Sequence, residues 1–138
     1  VRDMSGVRWY NDSIATAPER SIAAIQSFIE PIVLLLGGKD KDLPWEDLIS
    51  LVNQRVDHLV VFGQLAEKIM AFYSSSSTCQ TPQTIDRCKN LEQAVSVAAA
   101  RSQPGDVVLL APGGTSFDEF KDFEERGEKF REWVCNLT

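Results

Sequence analysis

At 138 residues with 43% hydrophobic side chains, the chain has the size of one domain and enough apolar content for a core that needs no staples. Its formal net charge of −6 argues against a nucleic-acid surface, which needs clustered Lys and Arg. The longest apolar run, Ile32 to Leu36, is far too short to span a bilayer, and no signal peptide is read.

Ser5-Gly6 is a hairpin-turn pair, and Val7-Arg8-Trp9-Tyr10 after it reads as a strand, antiparallel and at an edge. Asn11 to Thr16 forms a polar loop, closed by Pro18 in the first turn of a helix, where its missing N–H costs nothing. Ile22, Ile25, Phe28 and Ile29 give that helix an apolar face, and Pro31 ends it. Ile32-Val33-Leu34-Leu35-Leu36 is a buried strand running into Gly37-Gly38-Lys39-Asp40-Lys41-Asp42. Pro44 starts a helix with Trp45, Leu48, Ile49 and Val52 at helical spacing. His58 to Gly63 is a further strand, and Leu65, Ile69 and Phe72 mark a short helix.

Tyr73 to Thr84, with four consecutive serines, reads as a surface loop without function. A short strand is expected near Thr84-Ile85-Asp86, before Asn90 caps a helix whose Leu91, Ala94, Val95 and Ala98 face inward. Pro104-Gly105-Asp106 turns the chain into Val107-Val108-Leu109-Leu110-Ala111, a strand buried on both faces. Pro112-Gly113-Gly114-Thr115-Ser116 is expected to break this strand, with Phe117, Phe120 and Phe123 on one side of a following helix. Thr115 or Ser116 can cap that helix and leave N–H groups facing an anion, though the same residues read equally well as a plain capped loop. The strand–helix alternation gives the fold class: α/β, a Rossmann-like open, mainly parallel sheet with helices on both faces and an antiparallel strand near the N-terminus, in a single domain over residues 1–138.

Three polar loops thus stand at strand ends: Asn11 to Thr16, Gly37 to Asp42, and Pro112 to Ser116. In a doubly wound sheet such loops share one edge and can converge on one ligand. Lys41 offers a cation for a carboxylate or phosphate, Thr16 and Ser116 offer hydroxyls, and Asp12 offers an acceptor for a ribose or ammonium. On its own, Lys41 reads as a solvated charge between Asp40 and Asp42. No nucleophile–base pair is seen: the one histidine, His58, lies at the start of a strand. Gly37 to Lys41 lacks the spacing of a phosphate-cradling P-loop. Cys79, Cys88 and Cys135 are odd in number and without C-x-x-C spacing, which suggests a reducing compartment and neither a disulfide framework nor a zinc site.

Three blocks in this order carry a resemblance: Gly6-Val7-Arg8-Trp9-Tyr10-Asn11-Asp12-Ser13-Ile14-Ala15-Thr16, then Leu36-Gly37-Gly38-Lys39-Asp40-Lys41, then the S-F-D-x-F-x-x-F-x-x-R-G block from Ser116 to Gly127. With them the chain resembles, over essentially its whole length, the C-terminal domain of the Mur ligases. It is most similar to the branch that adds D-glutamate to UDP-N-acetylmuramoyl-L-alanine in peptidoglycan synthesis.

The resemblance implies a three-domain bacterial cytoplasmic enzyme whose sugar-binding domain and P-loop ATPase domain are absent here. It implies a reaction in which ATP turns the substrate carboxylate into an acyl phosphate that the amino group of D-glutamate attacks. ATP and Mg2+ would be bound mainly by the missing central domain, so this fragment alone is expected to be inactive, with no catalytic residue and no metal ligand of its own. Carried over position by position, Thr16, Lys41, Ser116 and the backbone at Phe123 would hold the D-glutamate carboxylates, and Asp12 would approach the ATP ribose. The implied partners are D-glutamate and, through the missing domains, UDP-N-acetylmuramoyl-L-alanine and ATP, with no nucleic acid, no membrane and a monomeric state.

Two departures stand out. Many members carry lysine and asparagine in a D-S-K-A-T-N loop where this chain has Ile14 and Ala17, so no role is assigned to Ile14. Many also have Ala-Cys-Ala where this chain has Gly113-Gly114-Thr115. A stand-alone α/β small-anion-binding or regulatory module is the alternative. The missing initiator Met and the missing P-loop favour a fragment.

Overall fold

A computed structural model describes residues 2–4, 6–13, 15–39, 44–72, 84–114 and 120–137. The strands are β1 (Arg2–Met4), β2 (Val7–Asn11), β3 (Ile32–Gly37), β4 (Val56–Phe62), β5 (Thr84–Arg87) and β6 (Val107–Gly113). The helices are α1 (Pro18–Gln26), α2 (Glu46–Arg55), α3 (Leu65–Ala71), α4 (Leu91–Arg101) and α5 (Phe123–Cys135). The strands form one sheet in the order β1-β2-β6-β3-β4-β5, with β1 antiparallel to β2 and every other neighbour pair parallel.

The apolar runs of β3 and β6 are buried throughout because both faces of the sheet are covered. On one face Leu34, Leu36, Leu59, Val61, Leu109 and Ala111 pack with Ile25 of α1, Leu48 and Val52 of α2, and Leu65 and Ile69 of α3. On the other, Trp9, Val33, Leu35, Val60, Val108 and Leu110 pack with Leu91 and Val95 of α4 and with Phe130 and Val134 of α5. The chain crosses from β2 over β6 to β3 by way of α1, steps on through β4 to β5, then returns by α4 to place β6 between β2 and β3. The direction of travel reverses around β6, and its carboxyl end is where an open α/β sheet leaves a crevice.

Several expectations are corrected. Val7–Tyr10 is not an edge strand: β2 pairs in parallel with β6 on one side, and its antiparallel partner β1 forms the edge. Gly6, at φ 81°, makes the reversal between them. The first helix stops at Gln26, so Phe28 and Ile29 lie beyond it; Phe28 packs on Tyr10 at 4.7 Å, while Ile29 is 94% exposed. Glu30 precedes a proline and is steered away from helical geometry, and Arg55 holds the turn by donating to the Phe28 carbonyl at 2.6 Å. The next helix begins at Glu46, two residues after Pro44.

Pro112 does not break its strand. β6 continues to Gly113, because between the pairs Leu35–Leu110 and Gly37–Gly113 one residue on β3 (Leu36) opposes two on β6 (Ala111 and Pro112), and this bulge accommodates the missing donor. Capping by Thr115 or Ser116, and the helical placement of Phe117, lie outside the described residues. The helix that follows starts only at Phe123, and Phe120 is a non-helical residue packed on Trp133 at 6.4 Å. Its cap is Asp122, whose carboxylate accepts from the Glu125 N–H at 2.8 Å, while the Glu125 carboxylate accepts from the Lys121 N–H at 3.0 Å.

Candidate functional site

Because β2, β6 and β3 are parallel neighbours, Asn11, Gly113 and Gly37 end at one edge. The Asp12 N–H donates to the Leu110 carbonyl at 2.8 Å, and the loop then folds across the end of β6, where the Gly113 N–H donates to the Ala15 carbonyl at 2.8 Å. On the other side, a Cβ at Gly114 would lie 2.9 Å from the Gly37 carbonyl oxygen and 3.0 Å from that of Lys39. The loops after β6 and β3 are therefore in backbone contact, which only glycine allows at position 114. The shared edge expected from the sequence is present in the described parts of all three loops.

Of the residues named from the sequence, Asp12, Thr16 and Phe123 are described and stand at this edge. Lys41, Ser116 and Ile14 lie outside the described residues. Thr16 is half-buried in the loop after β2. Asp12 faces a groove lined by Ala15, Arg20, Ala23, Ala24 and Ser27. Burial raises its carboxyl pKa, and the Arg20 guanidinium partly offsets this. Phe123 opens a second groove with Asn11, Ser13, Glu124, Gly127 and Arg131, on the α5 side of the same loop. As the first residue of α5, Phe123 has an N–H without an intrahelical acceptor, the kind of group that receives an anion at a helix start.

A polar network that sequence reasoning did not assign holds this corner together. Arg126 is fully buried and donates from Nε to Ser13 Oγ at 3.0 Å, from Nη1 to the Gly114 carbonyl at 3.0 Å and from Nη2 to the Ser13 carbonyl at 2.7 Å. Ser13 Oγ in turn donates to the Phe123 carbonyl at 2.7 Å. Asn11 Nδ2 donates to the Gly127 carbonyl at 3.0 Å while its Oδ1 accepts from the Ser13 N–H at 3.1 Å. The available signal was the Arg126-Gly127 pair at the end of the third block, an arginine followed by a glycine inside a helix.

Other polar groups stand apart from this edge. His58 Nδ1 is 2.7 Å from Thr84 Oγ1, near the beginnings of β4 and β5. Cys88 is buried, and desolvation together with the nearby Asp86 carboxylate pushes its thiol pKa up to about 11. Among the described residues no group of three or more His, Cys, Asp and Glu is placed to hold a metal ion, and no helix is long and apolar enough to cross a membrane.

The sheet order and the converging loops define a Rossmann-like α/β domain, a class whose crevice for a ligand lies at the carboxyl edge where the strand order reverses, here around β6. Residues 1–114 match the family described as Mur ligase, glutamate ligase domain, and the chain belongs to that family. It is 43% identical over 140 aligned residues to a UDP-N-acetylmuramoylalanine–D-glutamate ligase of Acetivibrio thermocellus, covering 99% of this chain and 30% of that protein. It is 36% identical, with the same coverage, to the ligase of that name from Ruminiclostridium cellulolyticum. The chain thus spans about a third of the length of these curated relatives. A solved domain assigned to a UDP-N-acetylmuramate:L-alanyl-γ-D-glutamyl-meso-diaminopimelate ligase of Haemophilus ducreyi superposes with a TM-score of 0.61 at 15% identity, over 96% of this chain and 95% of that one, and so shares the fold.

Proposed function

We propose that this chain is the C-terminal, amino-acid-binding domain of an ATP-dependent ligase that adds D-glutamate to UDP-N-acetylmuramoyl-L-alanine in peptidoglycan synthesis. The observation that carries the reading is the whole-chain similarity to ligases of that name, at 43% identity for one of them. In this reading residues 1–138 are one domain of a longer, monomeric, cytoplasmic bacterial enzyme. Its other parts bind the UDP-sugar substrate, the ATP phosphates and Mg2+.

The two grooves on either side of the Asn11–Thr16 loop suit a division of labour. Thr16, Lys41, Ser116 and the backbone of Phe123, the last of them on the α5 side, hold the D-glutamate carboxylates, since a lysine, hydroxyls and a helix-start N–H bind carboxylates and leave the amine free to attack. On the α1 side, Asp12 accepts from the ribose hydroxyls of ATP. ATP supplies the activation, converting the substrate carboxylate to an acyl phosphate; this domain's residues orient the nucleophile toward it.

The test is to express the complete reading frame and follow phosphate release with UDP-N-acetylmuramoyl-L-alanine, ATP and a panel of amino acids. D-glutamate-dependent turnover of about 1 per second or more is expected. Turnover with another amino acid and none with D-glutamate would overturn the reading. The isolated chain should show no ATP turnover.

A further inference from the structure

The amino-acid site proposed above depends on where the first turn of α5 stands, and one buried cation sets that position. The guanidinium of Arg126 reaches two segments far from it in sequence, Ser13 through Nε and Nη2 and Gly114 through Nη1, at 2.7 to 3.0 Å. Ser13 then passes the constraint back to α5, since its hydroxyl donates to the Phe123 carbonyl at 2.7 Å. The oxygens that Arg126 binds include one hydroxyl and two backbone carbonyls spread over both loops. A planar fork matches that spread, whereas the donors of a lysine all sit on one atom. Burying a guanidinium is costly unless its donors are met, so its place here is tied to the loop geometry it maintains.

We propose that Arg126 is a positioning residue for the amino-acid site: through Ser13 and Gly114 it fixes the Phe123 backbone and the chain where it leaves β6. It has no exposed surface and acts on the ligand through these groups. The proposal rests on the reading of this edge as the D-glutamate site.

The experiment compares wild type, Ser13→Ala and Arg126→Lys in the complete ligase, with D-glutamate and ATP varied separately and the thermal midpoint measured alongside. Ser13→Ala should raise the D-glutamate KM roughly 3- to 10-fold, and Arg126→Lys about 10- to 100-fold, with the ATP KM within about twofold of wild type. A fall in the midpoint with an unchanged D-glutamate KM in both variants would make Arg126 merely structural and overturn the proposal. An equal rise in both KM values would overturn it too. If Arg126→Lys fails to fold, the KM split in Ser13→Ala decides, because that variant removes one hydroxyl and adds no bulk. A wild-type enzyme that does not use D-glutamate overturns the underlying reading as well, and the wild-type measurement identifies that case.

Discussion

Gly127→Ala separates the glycine's role in packing the site from its effect on the helix. Gly127 is buried inside α5, outside the positive-φ glycines, so alanine meets no backbone strain there. On helix propensity alone the substitution should stabilise by roughly 0.8–1.0 kcal/mol. Against this, the new Cβ would lie 3.1 Å from Asn11 Nδ2, 3.3 Å from Ser13 Cβ and 3.4 Å from Asn11 Oδ1. Asn11 is exposed and can swing away, but it then loses its bonds to the Gly127 carbonyl and the Ser13 N–H, each worth about 0.5–1.5 kcal/mol.

The two lost bonds together match or outweigh the propensity gain, so thermal unfolding of the chain should show a net change between about zero and a loss of roughly 2 kcal/mol, or up to about 8 °C. The kinetics should show no such offset. Displacing Asn11 loosens Ser13 and with it Phe123, so the D-glutamate KM of the complete ligase should rise several-fold while the ATP KM stays near wild type. A full helix-propensity gain with unchanged kinetics would refute the reasoning, because Asn11 would then not be packed on Gly127. A loss beyond about 3 kcal/mol would refute it in the other direction, showing that the loop cannot yield.

Asp12 has a carboxyl pKa raised by burial, so the folded state favours its protonated form; the stability this contributes is present below the unfolded value of 3.8 and lost as pH rises through the folded value. Asp12→Asn should therefore gain in thermal midpoint relative to wild type across that window and keep a constant advantage above it, and a difference independent of pH would contradict the assignment. Ser116→Ala should weaken D-glutamate use by about 0.5–1.5 kcal/mol, seen in its KM, as one neutral donor is lost. Cys88, buried with its thiol at about 11, should resist iodoacetamide at pH 8 in the native chain, while exposed Cys135 reacts; mass mapping of labelled peptides checks the order.

The parts of the fold that read clearly from sequence are those whose signal is local. The apolar runs of β3 and β6 announce burial on two faces, and Asn90 is visible as a cap because its side chain accepts from Gln93 three residues on. The edge assignment of Val7–Tyr10 failed because nothing within that segment shows that β6, about a hundred residues later, inserts beside it. The continuation of β6 past Pro112 is hidden for a similar reason: the bulge that accommodates the proline exists only in the pairing of β6 with β3, about 75 residues earlier in the chain. The convergence of the loops follows from the parallel topology, which brings Asp12, Thr16 and Phe123 to one edge of the sheet. Arg126 is not assigned from the sequence, since its acceptors include carbonyls and a hydroxyl up to 113 residues away, and such acceptors leave no compositional trace.

The central claim is that this edge holds D-glutamate, with the nucleotide on the other side of the Asn11–Thr16 loop. Steady-state kinetics of Lys41→Ala in the complete ligase, with each substrate varied separately, tests it most directly. Losing a charge-assisted bond to a carboxylate, worth roughly 1.5–3 kcal/mol and more if that carboxylate is left unpaired, should impair D-glutamate use by about tenfold to a thousandfold and leave the ATP KM nearly unchanged. A raised ATP KM with D-glutamate KM and kcat unaltered would place Lys41 on the nucleotide and contradict the account.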